Sequence, residues 1–193
     1  MQFLKGKYKE VLQKEKHSPF GFNSDIEDYI IRNEFRTKVS WHIPSQSLIN
    51  EMKRFSPIVS VGAGHAYTEF FAQKKGVDII ATDIRPDEKN LWCKGKKTYI
   101  PVEKITDRKA VLKYKDRNVF MAWPPYCHPM ATQVAKAMRP GRVLIYVGES
   151  HGGCTAGDDF FSYASNNLEK LETEVKIENW FGIYDKVFLY VKK

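Results

Sequence analysis

Cysteine is scarce: Cys93, Cys127 and Cys154 are the only three in 193 residues. Three scattered thiols make no disulfide framework, so reduced thiols are expected. Long apolar runs are lacking too. No stretch approaches the roughly 18 residues that a membrane-spanning helix needs. The opening Met1-Gln2-Phe3-Leu4-Lys5 leads into lysines and not into the apolar core of a signal peptide. A cytoplasmic protein without a membrane partner is expected. No internal repeat or low-complexity tract is found, and a chain that is 42% hydrophobic and 28% charged is globular rather than disordered.

What the chain has in excess is positive charge, a formal +8. Basic residues gather at Lys5, Lys7, Lys9, Lys14 and Lys16, at Lys94, Lys96 and Lys97, and from Lys104 through Arg108, Lys109, Lys113 and Lys115. An anionic partner such as RNA or DNA is therefore expected, against the alternative of a solvated lysine-rich surface. The oligomeric state is not legible.

The chain is organised around Pro57-Ile58-Val59-Ser60-Val61-Gly62-Ala63-Gly64, an apolar run meeting two glycines, with a helix expected from Tyr67 to Lys75. Glycines at such a turn bring backbone N–H groups close to a ligand, and the helix start presents further unpaired donors. A second strand, Val77 to Asp83, ends in an acid about twenty residues after the glycines, where a carboxylate can accept both ribose hydroxyls. Thr98 to Val102, Asn118 to Ala122 and Arg142 to Val147 read as further strands, separated by helices from Asp107 and from Met130 to Met138. A helix opens at Asp158 and Asp159, and the runs Glu174 to Trp180 and Lys186 to Val191 read as a closing antiparallel pair.

Before the first strand, residues 1–44 read as a helical extension and 45–193 as the main domain. Phe3, Leu4, Tyr8, Val11 and Leu12 have helical spacing in an amphipathic or loosely attached segment. Ser18 to Asn23 reads as a turn. Ser24 with Glu27 forms a capping box for a helix burying Ile26, Ile30, Ile31 and Phe35, and Ser45 caps another carrying Leu48, Ile49, Met52 and Phe55. Alternating strands and helices make an α/β, three-layer, Rossmann-like fold. Its sheet is mostly parallel and seven-stranded with a C-terminal antiparallel hairpin, and ligands bind beyond the strand tips.

Over roughly Trp41 to Lys193 the sequence resembles the class I S-adenosylmethionine-dependent methyltransferases. The resemblance implies that Gly62, Ala63 and Gly64 hold the methionine part of the cofactor, that Asp83 holds the ribose, and that Val102 and Glu103 flank the adenine. Two positions depart from the family: Ser60 stands where an acid is usual and Ala66 where a third glycine is common. Tyr67 occupies the place where a dinucleotide fold needs a glycine, which favours the methyl donor over a nicotinamide.

Trp123-Pro124-Pro125-Tyr126 resembles the Asp/Asn-Pro-Pro-Tyr motif of methyltransferases acting on amino groups, including those of adenine in nucleic acids. In that motif the polar residue and a proline carbonyl accept the target's hydrogen bonds. Trp123 has an indole donor and no acceptor, so Trp123 and Tyr126 are expected to stack a planar or nucleobase-containing substrate. Candidate bases are Glu149, His151 and His128. Cys127, His128, His151 and Cys154 match no metal-binding pattern, and no metal is expected. Trp41 is expected in the core or, with His42, over the cofactor. The alternatives are a non-catalytic module of this fold binding RNA or a protein, and a small-molecule methyltransferase.

Overall fold

A computed structural model describes residues 3–17, 26–86 and 98–193. The Ser18 to Asn23 turn, the Ser24 end of the capping box, Cys93 and the lysines at 94, 96 and 97 lie outside the described residues. In order, the elements are α1 (Lys7–His17), α2 (Ile26–Lys38), α3 (Gln46–Arg54), β1 (Ile58–Val61), α4 (Tyr67–Lys74), β2 (Ile79–Asp83) and β3 (Val102–Lys104). They continue with α5 (Asp107–Lys113), β4 (Asn118–Ala122), α6 (Met130–Ala137), β5 (Val143–Gly148), α7 (Asp158–Asn167), β6 (Leu168–Leu171) and β7 (Lys186–Lys192).

The strands form one seven-stranded sheet in the order β3-β2-β1-β4-β5-β7-β6. β1 to β5 are parallel, and β7 runs antiparallel to both β5 and β6. β1, with every residue buried, is apolar but for Ser60 because helices cover both faces of the sheet. On one face Val59, Val61, Val119, Met121, Leu144 and Tyr146 pack under α5, α6 and α7. On the other, Ile58, Phe120, Ile145 and Leu189 pack under Leu48, Ile49 and Met52 of α3 and Ala72 of α4. α3 begins where Ser45 Oγ accepts the Leu48 N–H at 3.1 Å. The strand order reverses between β1 and β4, and a crevice opens at such a switch point.

Four expectations are corrected. The first segment is not loose: Leu4, Val11 and Leu12 are buried in a third cluster with Phe35, Ile43 and Trp180. α2 is turned about its axis, leaving Ile26 and Ile30 exposed and burying Asp28, which takes Lys14 Nζ at 3.1 Å, together with Phe35. β3 starts at Val102 instead of ending there, since Pro101 has no N–H to give to the ladder. The partner of β7 is Leu168–Leu171; residues 174–180 contribute only an isolated bridge between Glu178 and Ile43.

Candidate active site

The turn after β1 holds two glycines in the left-handed region, Gly62 at φ 71° and Gly64 at φ 53°. A Cβ at Gly62 would also meet Met130 Cε at 2.5 Å, so a side chain there would push the methionine tip aside. Ala66 follows at φ 56° as the residue before α4, and no side chain caps that helix, so its first N–H groups face the turn unpaired by a cap. The Ala63 N–H donates to the Thr82 carbonyl at 2.9 Å, and the Gly64 N–H donates to Asp83 Oδ2 at 3.0 Å. Asp83 thus points at the glycine turn from the tip of the neighbouring strand. Its other oxygen accepts the Arg85 N–H at 2.7 Å. Ile84, next along, is an exposed apolar side chain at this tip.

Beneath the turn, the acid missing at position 60 comes from the helix. Ser60 Oγ donates to Glu69 Oε1 at 2.5 Å, with the two residues 1% and 3% exposed. Burial pushes the Glu69 carboxyl up to about 7 against the lowering effect of the serine. His42 Nε2 lies 2.9 Å from Thr68 Oγ1 behind the same turn, and burial lowers its pKa to about 4, keeping it neutral.

β3 does not bring Val102 and Glu103 to the level of Asp83. Val102 pairs with Ala81, and Lys104 is the partner of Asp83. Glu103 turns to α5, accepting from Lys113 Nζ at 2.7 Å and from the Tyr114 hydroxyl; these bonds hold its pKa below the usual range. The residues level with the Asp83 tip are Lys104 and Ile105, whose N–H donates to the Asp83 carbonyl at 3.0 Å.

The Trp-Pro-Pro-Tyr turn follows β4, but its polar groups are engaged within the protein. The Pro124 carbonyl accepts the Ala156 N–H at 2.9 Å, and Pro125 bridges to Thr155. Trp123 is held at φ 52°, a strained conformation for a bulky residue. Its Nε1 donates to Asp185 Oδ2 at 2.7 Å, and its ring packs on Trp41 at 5.1 Å. The Arg36 guanidinium lies 4.5 Å from the Trp41 ring centre and 5.6 Å from that of Trp123. Trp123 therefore packs with Trp41 and Arg36 and not with Tyr126, which is exposed.

The three candidate bases have other work. Glu149 accepts the Cys154 N–H at 2.7 Å and the Tyr184 N–H at 2.9 Å; burial alone raises its pKa, but these bonds outweigh it and hold the carboxyl below its usual range. His128 Nδ1 accepts the Met130 N–H at 3.2 Å, and exposed His151 lies 3.4 Å from Asp158. Asp185, which the sequence did not single out, is only 4% exposed. Burial pushes it up to about 7, aided by Glu149 and opposed by the Trp123 bond and Arg36. Among the described residues no three His, Cys, Asp or Glu gather to hold a metal, and no helix is long and apolar enough to cross a membrane.

No family model matches the sequence, and no curated protein does so at a significant level. Solved structures do match in shape. Magnesium protoporphyrin IX methyltransferase from Synechocystis PCC 6803, with bound SAM, aligns over 100% of both chains with a TM-score of 0.52 and 11% identity. A mutant of MtNAS in complex with S-adenosylmethionine aligns over 96% of this chain and 72% of its own, with a TM-score of 0.51 and 13% identity. The fold is that of the class I methyltransferases. In this methyltransferase fold the glycine turn, Asp83, Trp123 and the 149–155 loop all lie on one sheet edge, as the strand tips require.

Proposed function

We propose that the chain transfers a methyl group from S-adenosylmethionine to a planar acceptor. The observation that carries this reading is the 3.0 Å bond from the Gly64 N–H to Asp83, which joins the two cradle elements at one point. The residues fit the cofactor. Left-handed Gly62 and Gly64 and the uncapped start of α4 suit its methionine part, with Ala63 between them. Asp83 accepts from the backbone N–H groups of Gly64 and Arg85, which sets a carboxylate beside the glycine turn where the ribose hydroxyls would lie. Exposed Ile84 and the Lys104 and Ile105 tip suit the adenine, in place of Val102 and Glu103. When bound, the cofactor supplies an electrophilic methyl group on a sulfonium. The protein's part is to orient the acceptor in line with that methyl and exclude water.

A small planar acceptor is better supported than RNA or DNA. Lys7, Lys14, Lys16 and Lys113, four of the lysines expected to track phosphates, are paired with Glu34, Asp28, Glu178 and Glu103. The Pro124 carbonyl, an anchor for an amino group in the resembling motif, is already bonded.

Calorimetry with S-adenosylmethionine and S-adenosylhomocysteine tests the cofactor assignment. Asp83→Ala removes a charged acceptor of two hydroxyl bonds, each worth about 1.5–3 kcal/mol, so binding should weaken by about a hundredfold or more. Undiminished affinity in that variant overturns the reading.

A further inference from the structure

Five buried side-chain polar atoms have no hydrogen-bond partner among the described residues: Arg32 Nε, Arg36 Nε, Asn179 Oδ1, Trp180 Nε1 and Asp185 Oδ1. All five lie on two segments, α2 and 179–185. The segments face each other, since Arg32 Nη1 donates to the Phe181 carbonyl at 3.0 Å. Buried polar groups in folded proteins are nearly always paired, because each orphan forfeits on the order of 1–3 kcal/mol. Orphans confined to one seam are groups that a ligand with matching donors and acceptors would satisfy. The seam meets the strand-tip edge where Trp123 follows β4 and Asp185 precedes β7.

Of its charged groups, Arg32 is paired with Glu15 at 3.4 Å, while Arg36 and Asp185 are complementary in charge but form no ion pair. The Arg36 guanidinium has no hydrogen bond or ion pair among the described residues, and its neighbours are the faces of Trp41 and Trp123. Burial lowers its pKa, and Asp185 is among the groups that pull it back up. Asp185 has one oxygen fixed by Trp123 Nε1 and the other, Oδ1, without a partner. The strained Trp123 backbone presents the indole N–H to this carboxylate, which accounts for a donor standing where the resembling motif has an acceptor.

Given the methyl transfer proposed above, we propose that this seam is the acceptor site. It holds a planar molecule that sets an oxygen acceptor, a carboxylate or ring oxo group, against Arg36 and a protic N–H or O–H against Asp185. An unpaired donor on Arg36 and an unpaired acceptor on Asp185, both beside the Trp41 and Trp123 indoles, call for a flat ligand with both functions. The acceptor's N or O lone pair forms the bond to the methyl carbon, the carbon–sulfur pair stays on sulfur as a neutral thioether, and the N–H or O–H proton passes to Asp185 Oδ1 and then to water. Arg36 orients the ring and Asp185 takes the proton.

The test uses the full chain labelled with nitrogen-15, in which each of the four tryptophans gives one indole N–H signal, that of Trp123 being assigned by its loss in Trp123→Phe. Three probes are titrated: salicylate, which carries both functions, benzoate, which lacks the hydroxyl, and phenol, which lacks the carboxylate. Salicylate should move the Trp123 signal and bind about tenfold or more tighter than either of the others, the worth of one charged hydrogen bond. Arg36→Met should erase the advantage of salicylate over phenol, and Asp185→Asn, which leaves Trp123 an acceptor, its advantage over benzoate. Equal binding of all three by the native protein, affinities unchanged in both variants, or no movement of Trp123 overturns the proposal; the native series decides alone if a variant misfolds. S-adenosylhomocysteine is titrated in parallel. Its failure to bind the native chain refutes the methyl-transfer reading, whereas its binding beside a silent salicylate series refutes only this acceptor site.

Discussion

Glu69→Gln should make the protein more stable at alkaline pH and leave it little changed under mild acid. Glu69 is 3% exposed, and burial raises its carboxyl from 4.5 to about 7. Between those values the folded protein holds a proton that the unfolded chain releases. Stability therefore falls as pH rises from about 4.5 to about 7 and is flat above, opposite to the usual salt-bridged carboxylate. The rise from 4.5 to about 7, at about 1.36 kcal/mol per pH unit, gives roughly 3 kcal/mol of lost stability at about pH 8. The glutamine keeps an oxygen for the Ser60 hydroxyl, bonded at 2.5 Å, and carries no charge. Urea unfolding of both proteins at about pH 5 and about pH 8 isolates the group, because every other titration cancels in the difference. The variant should gain up to about 3 kcal/mol at the higher pH and close to nothing at the lower. A variant weaker at both values, or a difference that does not change with pH, would show that Glu69 is ionised and satisfied in the native fold and would refute the reasoning.

Two further perturbations probe what holds the fold together. Arg142→Met should cost about 3 kcal/mol in chemical denaturation, since the buried guanidinium donates to three carbonyls, those of Arg117 at 2.6 Å, Val111 at 3.1 Å and Tyr114 at 3.3 Å; a neutral effect would mean that water satisfies them. Leu12→Ala should cost about 2–3 kcal/mol within a single unfolding transition, because Leu12 shares a core with Phe35 and Trp180; a separate early transition of α1 would show that the extension melts by itself.

The central strands were legible because burial on both faces leaves them as nearly continuous apolar runs: Ile58 to Val61, broken only by Ser60, with Ile79 to Ala81 and Val143 to Val147. The Gly62 and Gly64 turn and Asp83 were legible for a related reason, since backbone geometry and strand length fix where they fall. The sheet edges were not. Leu168–Leu171 carries two exposed charged residues and follows α7 without a break, so its sequence continues a helix as well as it makes a strand. Residues 174–180 alternate like a strand and form only one bridge, the other side of the pairing having been taken by β6.

The proposed acceptor side was hidden for a deeper reason, which Trp123 makes plain. Residue type alone gave it a stacking role, and stacking it does, but on Trp41 and Arg36 of the same chain. Its indole N–H finds Asp185, 62 residues away, and Arg36 comes from a helix that precedes the first strand. Each of these residues is unremarkable in its own segment: an arginine on an amphipathic helix, a tryptophan before a cap, an acid closing a turn. Their chemistry arises only when α2 lies over the β4 and β7 tips, where the same burial that raises Asp185 strips the Arg36 guanidinium of water. A glycine turn built from consecutive residues can be read along the chain, whereas the proposed acceptor seam, drawn from four separated segments, is decided by packing, and packing also leaves Arg36 Nε and Asp185 Oδ1 without partners among the described residues.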